Sequence, residues 1–427
     1  MEIAVLFGVF AVLLVLGVPV AFAIAVASVA CVLAIGLEPS VVVQQVASGF
    51  TKVSLLAIPL FIFAGELMLR GGISERLISL ASSLVGHLRG GLGQVAVVAS
   101  TLFGGVSGSA LADVSAIGST MIPQMEKRGF SKDYAVDVTI AAALVALLLP
   151  PSHNLILYSA IAGGGVSIAD LFAAGIVPAL MLALAVMAAA YLLPRARGYP
   201  TEAFPGFSAV LTRLIAAIPG LLLIVVIFGG IRAGIFTAVE SAAVAVLYAL
   251  LVTMLVYRGM GWSAFAGAVA HAARSTGAIL FVIGAAAAFG WLMAYLQIPA
   301  AAVEALNAIT EDKTIVLLLM LAILLVLGTF MDLAPMIIIC TPIFWPVARA
   351  YGVEPLHFGV ILVLAAGLGL ITPPVGSVLF VGSAIGRISV AEAMKSIWPF
   401  YLAALSVLLL VTFIPALSLT LPALWRH

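Results

Sequence analysis

Apolar runs of roughly 20 residues, the length that crosses a hydrocarbon layer as a helix, recur from one end of this chain to the other. No polar stretch between them is long enough for a soluble domain. Two runs are interrupted where an unbroken helix is expected: Ala146 to Asn154 reads ALLLPPSHN, and Gly369 to Ser377 reads GLITPPVGS. A Pro-Pro pair removes two backbone donors and clashes with the preceding turn. In hydrocarbon, backbone groups freed in this way are tolerated only where they line a cavity or bind something. Interrupted segments at matching positions of two halves point to a transporter's binding site.

A second irregular element precedes each break. The first is Phe103 to Ala110 (FGGVSGSA), followed by Leu111, Ala112 and Asp113. The second is Leu327 to Asp332 (LGTFMD), followed by Leu333, Ala334 and Pro335. Apolar stretches flank both, so each predicts a re-entrant hairpin: two short helices meeting at a Gly/Ser/Thr tip, where glycine permits close backbone approach. Two further segments mix apolar and charged positions. Ile73 to Arg89 sets Ile73, Leu77, Leu80, Leu84 and Leu88 at helical spacing, and a second such segment lies near Pro299 to Lys313. Both patterns fit helices lying along the headgroups, with an ordinary loop helix as the other reading.

The halves superimpose in sequence. Ala64 to Met68 matches Phe289 to Met293 at an offset of 225. Asp113 and Pro123 share their spacing with Asp332 and Pro342 at 219, Pro150-Pro151 matches Pro373-Pro374 at 223, and Ser167 to Asp170 matches Ser389 to Glu392 at 222. Four matches in order indicate a duplication, with repeat one over about 1–193, a linker over about 194–213 and repeat two over about 214–427. Charge suggests the orientation of the copies. If they are inverted, Lys127, Arg128, Lys132, Arg387 and Lys395 share one side and Arg349 stands on the other, the asymmetry that the positive-inside rule describes. Parallel copies would split the same bases four to two. Inverted repeats are therefore expected.

Composition agrees. The chain is 65% hydrophobic and 8% charged, with mean hydropathy +1.33, whereas soluble domains carry about 25% charged residues. An all-α integral membrane protein is expected, a single polytopic domain over 1–427, with Met1 to Ile35 as a retained first membrane segment. The net charge of +1 says nothing about partners and gives no reason to expect nucleic acid. Cys31 and Cys340 lie in apolar runs and read as buried small hydrophobes. The five histidines have no ligand spacing. No phosphate loop, HExxH, GxSxG or paired catalytic carboxylates occur, so neither an enzyme nor a transition-metal site is expected. Any pumping must be driven by a gradient or by a partner.

Pairing each hairpin tip with the break of its own repeat gives two pockets lined by carbonyls and hydroxyls. The first would use Ser107, Ser109, Pro150 and Ser152. The second would use Gly328, Thr329, Gly369, Thr372 and Gly376. A small hard cation such as Na+ suits such oxygen ligands, and half-helix N-termini at the same place favour an anionic substrate. Close helix packing is the other reading of the Gly-Ser motifs. His153, Asn154, Asp113 and Asp332 are the substrate-binding candidates; for His153 and Asn154 a structural hydrogen-bonding role is equally open, and for the two aspartates ion binding, proton transfer and helix capping are also open. Glu66 and Glu240 read as inter-helix hydrogen-bonding groups.

In combination these motifs are familiar. Ile58 to Met68 (IPLFIFAGELM), Gly104 to Ile117 (GGVSGSALADVSAI), Pro150-Pro151-Ser152, Phe236 to Ala245 (FTAVESAAVA) and Ile371 to Gly376 (ITPPVG) resemble the large membrane subunit of tripartite ATP-independent periplasmic (TRAP) transporters. The chain departs from the family at Thr237-Ala238-Val239-Glu240, where a Thr-Pro-Thr-Glu-like run is usual.

The resemblance implies an elevator-type fold of re-entrant hairpins and broken helices. Transport elements (about 92–180 and 315–400) would move across a scaffold formed by most of the rest. It also implies a multi-pass protein of a bacterial or archaeal cytoplasmic membrane, partnered by a small four-helix membrane subunit and a periplasmic binding protein that delivers an organic acid. Na+ would be the coupling ion, with Ser107, Ser109, Gly328, Gly369, Thr372 and Val375 as its likeliest ligands, some through backbone carbonyls. Relatives of this kind carry dicarboxylates, sialic acid-like sugars, 2-oxo acids and sulfonates. The alternative is a stand-alone Na+/carboxylate symporter of related fold.

Overall fold

The computed structural model describes residues 2–163, 165–197, 199, 203–307, 310–373 and 376–425, with the side chains of 54, 106, 194–197, 306 and 307 excepted. Among the described residues every regular element is helical. Five helices are long and apolar enough to cross a membrane alone: Ile168–Leu193, Phe207–Arg232, Ala238–Val256, Trp262–Tyr295 and Leu333–Ala350. Three bent pairs raise this to as many as eight: Ala57–Arg70 with Ile73–Val85 (68°), Ser377–Gly386 with Val390–Ser396 (102°), and Trp398–Phe413 with Ala416–Trp425 (60°). Large apolar side chains also stand on the outer surface. Val15, Phe207 and Val225 stand in the open, a cost in water that vanishes in hydrocarbon.

The elements repeat along the chain. Helices begin at Gly91 and Lys313, at Ala110 and Leu333, at Lys132 and Pro355, at His153 and Ser377, and at Ile168 and Val390, each pair 222 to 224 residues apart. In both copies a helix of hairpin length is followed by a tip, a return helix, an inward helix, a break and a half-helix.

The hairpin and break elements of the two copies pack into one another through glycines. A Cβ added to Gly382 or Gly386 would lie 2.2 Å from Ile140 or Val136, and one added to Gly367 would meet Leu147 at 2.7 Å. The Tyr158 hydroxyl donates to the Pro355 carbonyl (2.8 Å) across the same seam. The 34-residue helix Trp262–Tyr295 stands beside this body. It packs on Val20–Ala34, Ser40–Gly49 and Ala57–Arg70 on one side and on Leu333–Ala350 on the other.

Several expectations are adjusted. The tips are tighter than the sequence suggested, because the Gly91–Ser107 helix runs through Gly104 to Ser107 and the Lys313–Gly328 helix runs through Leu327 to Gly328. The Ile168–Arg197 helix extends past Pro194, and helix resumes at Phe207, so helix enters both ends of the stretch expected as a linker. Ile73–Val85 is helical and amphipathic. Its Leu77 and Leu80 are buried and Leu84 is exposed. Glu240 makes no inter-helix bond of the kind expected. It closes a capping box with Thr237, whose hydroxyl accepts from the Glu240 amide while the carboxylate accepts from the Thr237 amide. This reciprocal cap starts the helix where the family's proline is absent.

Candidate functional site

The first hairpin ends at Gly108, whose φ of 60° is left-handed. A Cβ there would lie 2.6 Å from the Pro151 carbonyl oxygen, and one at Gly104 would lie 2.6 Å from Ala146 Cα. The Pro150 carbonyl oxygen is 3.4 Å from where a Gly105 Cβ would stand. The glycines of the GGVSG run therefore let the tip rest on the broken backbone of its own repeat. Asn154 fastens the contact, its amide donating to the Gly108 carbonyl at 3.0 Å. Ser109 caps the return helix by accepting from the Ala112 amide (3.4 Å). Ser107 accepts from the Ser109 amide (3.5 Å). Ser152 is fully buried, donates to the Leu147 carbonyl (2.6 Å) and accepts from the Leu155 amide.

The second tip meets its break more nakedly. A Cβ on Gly369 would come within 2.5 Å of Gly328 Cα and 2.6 Å of its oxygen. Past it, the carbonyl oxygens of Thr372 and Leu370 stand 2.9 and 3.0 Å from where a Gly376 Cβ would be, so two backbone oxygens approach one point. Thr329 and Thr372 donate back to the Val326 and Leu368 carbonyls (2.8 and 2.7 Å). This leaves their hydroxyl lone pairs available. Val375 lies outside the described residues. Carbonyl and hydroxyl oxygens gather at both meeting points, with the Met336 sulfur 3.4 Å from where a Gly328 Cβ would stand at the second; oxygen is the donor that suits a hard alkali cation. No group of three His, Cys, Asp or Glu side chains placed to hold a metal occurs among the described residues.

The aspartates part company. Asp113 does not cap its helix; Ser109 does. It is fully buried behind the tip, where it accepts from the Ser100 hydroxyl at 2.6 Å, and its other oxygen has no partner. It is not among the residues that line the cavity described next. Asp332 sits at the N-terminus of its return helix without capping it, and accepts from Ser377 across the break (3.2 Å).

A cavity of about 580 Å³ opens between these elements and the helices beside them. Ser107, Ser109, His153, Asn154 and Asp332 line one wall, with Leu147 and Leu370 at the two breaks. Glu66 and Arg70 of Ala57–Arg70, and His271 and Ser275 of Trp262–Tyr295, line the opposite wall. Sequence reasoning singled out Glu66 and missed the other three. Glu66 four residues before Arg70 was a legible helical ion pair; the position of His271 follows from tertiary packing alone. A smaller cavity of about 270 Å³ lies elsewhere along Trp262–Tyr295, bounded by Gln45, Ser48 and Lys52 on one side and by Ala160, Ile338 and Pro342 on the other. There Lys52 donates to the Ala160 carbonyl at the end of the first half-helix (2.6 Å).

The sequence profile described as "Tripartite ATP-independent periplasmic transporter, DctM component" matches residues 7–417. The chain belongs to this family. As a TRAP large permease it is a multi-pass protein of the inner membrane, a transporter subunit rather than an enzyme, and serves solute uptake together with a small membrane subunit and a periplasmic binding protein.

Its relatives include the uncharacterized protein YgiK of Salmonella typhimurium, 41% identical over 99% of this chain and 98% of that one. The C4-dicarboxylate TRAP transporter large permease DctM of Rhodobacter capsulatus is 34% identical over 99% of each. The isethionate TRAP transporter permease DctMQ of Oleidesulfovibrio alaskensis is 36% identical over 97% of this chain and 65% of its own, longer length. Among solved structures the YdaH transporter of Alcanivorax borkumensis matches at a TM-score of 0.61, with 15% identity and 87% of each chain covered, a likeness of fold. The TRAP permease thus shares its all-helical, broken-helix architecture with a membrane transporter.

Proposed function

We propose that this TRAP large permease couples the inward movement of Na+ to uptake of an organic anion handed over by the periplasmic binding protein. The observation that carries the reading is the meeting of each hairpin tip with the broken helix of its own repeat, beside one cavity. Two oxygen-lined points, around Ser107, Ser109 and Pro150 and around Gly328, Gly369, Thr372 and Gly376, would hold the ions. Ser152 contributes to the first through the fold of the break, and Thr329 to the second beside Gly328. His153 and Asn154, on the cavity wall, would face the solute.

The elements at about 92–180 and 315–400 would move as a body against the rest, carrying ions and solute together. The cavity and the Lys52–Ala160 contact lie along the seam where such sliding would occur. The charge asymmetry supports inverted copies, an arrangement in which this motion exchanges one open face for the other.

The energetics suffice. One charge moving inward through 100 mV releases about 2.3 kcal/mol, and a tenfold Na+ gradient adds about 1.4 kcal/mol per ion. Two Na+ with a monoanion supply roughly 5 kcal/mol, enough for an accumulation ratio of a few thousand. The names of relatives, C4-dicarboxylate for one and isethionate for another, support a carboxylate or sulfonate as cargo.

The test is uptake by proteoliposomes holding this chain and its small subunit. Uptake is expected only with the binding protein and an inward Na+ gradient. Uptake without the binding protein would instead identify a stand-alone symporter, and uptake indifferent to replacing Na+ by choline would remove the coupling.

A further inference from the structure

The cavity wall facing the hairpin tips carries a group of side chains that the ion sites do not use. The Glu66 carboxylate is buried and held from two sides: one oxygen accepts from Arg70 Nε at 3.2 Å, and the other lies 2.9 Å from His271 Nδ1. Arg70 thereby spends its Nε on Glu66 and keeps both terminal nitrogens. The guanidinium lies over Gly267, where an added Cβ would stand 2.8 Å from Nη1, so the glycine forms the notch in which it rests. Arg70 is partly exposed and lines the cavity.

Charge makes this position decisive. Among the lining residues the charged side chains are Glu66, Asp332 and Arg70, with His153 and His271 beside them. Among the described residues Arg70 is thus the only permanent cation lining the cavity. An anionic solute entering it meets two carboxylates and one guanidinium. A guanidinium presents a planar fork that matches two oxygens of a carboxylate or sulfonate, which a point-charge ammonium does not. A side-on tether through Nε leaves that fork free.

We propose that Arg70 is the anchor for the carboxylate or sulfonate of the transported solute, with Glu66 and His271 as positioning residues and Gly267 as the notch that seats the guanidinium. The assignment rests on the uptake reading above and names the residue that confers its preference for anions. Arg70 and its supports stand outside the hairpin-and-break elements, so Arg70 receives the anion in the conformation described here and releases it to His153 and Asn154 as the moving elements carry it across.

The test uses the membrane complex in proteoliposomes with its binding protein, assayed for exchange of labelled succinate and labelled isethionate, and measures half-saturation for solute and for Na+ separately. For whichever probe the wild type carries, Arg70→Ala and Arg70→Gln are expected to raise the solute half-saturation at least tenfold while that for Na+ stays within twofold. Arg70→Lys should recover part of the loss, and Gly267→Ala should reproduce part of it by displacing the guanidinium. Damage to folding would move both constants or abolish insertion; Arg70→Lys and Gly267→Ala then decide. An unchanged solute half-saturation in all four variants, with a wild type that exchanges under Na+, overturns the anchor and leaves the coupling intact. A wild type that carries neither anion under a Na+ gradient counts against both together.

Discussion

The two tip-and-break meetings share one plan and are finished differently. At the first, side chains tie the parts: Asn154 reaches back to Gly108, Ser152 bridges the broken turn, and Asp113 is sealed behind with Ser100. At the second, Gly328 and Gly369 touch backbone to backbone, and the aspartate at the matching position, Asp332, stands exposed and bonded to Ser377. A duplicated frame therefore fixes where the chain breaks, while the residues around each break decide how firmly it is held. Both sites depend on glycines at close approach, and the first adds a buried side-chain hydrogen bond from its break to its tip.

The largest effect is expected where that close approach is blocked. Gly369→Ala puts a methyl 2.5 Å from Gly328 Cα, and backbone cannot yield as a flexible side chain does. Overpacking of this kind costs typically about 1–3 kcal/mol, and here it would separate the tip from the break. Uptake should fall to background while the protein still inserts, measured as initial rate per inserted molecule. Gly290→Ala, whose Cβ would find only ordinary contact at 3.7 Å, should transport normally.

Next comes loss of single oxygen ligands. Ser109→Ala and Thr372→Ala should each weaken the apparent affinity for Na+ about tenfold, or about 1.4 kcal/mol, with insertion unchanged. Sodium dependence untouched in both variants would break the parallel between the sites.

A smaller and lopsided effect is expected of the ties. Asn154→Ala leaves a buried Gly108 carbonyl without its partner, a cost of about 1–3 kcal/mol, and should slow uptake several-fold. Ser377→Ala removes a bond to an exposed aspartate and should do less. Equal effects would contradict the contrast drawn between a tied and an untied site.

The orientation of the copies is a labelling question. Cysteines introduced at Lys132 and Arg349 should react from opposite faces of the membrane, and reaction from one face would overturn the inverted arrangement.

Much of this frame was legible in the sequence because helix breaks in hydrocarbon are written in few letters. Pro150-Pro151 and Pro373-Pro374 located the breaks, and the Gly-Ser runs located the tips to within a turn. The runs overstated the tips because glycine at Gly104 and Gly328 serves close packing inside a helix as well as a turn. Asp113 and Asp332 read alike in sequence and differ in place, since burial depends on what packs around each tip. Glu240 was misread because a carboxylate within an apolar segment suggests a buried bond, whereas this one begins its helix. The far wall of the cavity was invisible for a similar reason. Arg70 and His271 stand far apart in the chain and share Glu66 only once Ala57–Arg70 packs on Trp262–Tyr295.

The central claim is that each repeat holds its own sodium ion where its tip meets its break. Equilibrium binding of radioactive Na+ to the purified membrane complex tests it directly. Two saturable ions per permease are expected, with one lost in Ser109→Ala at working concentrations, a different one lost in Thr372→Ala and neither retained in the double variant. No saturable sodium, or the same stoichiometry in all three variants as in the wild type, would contradict the account.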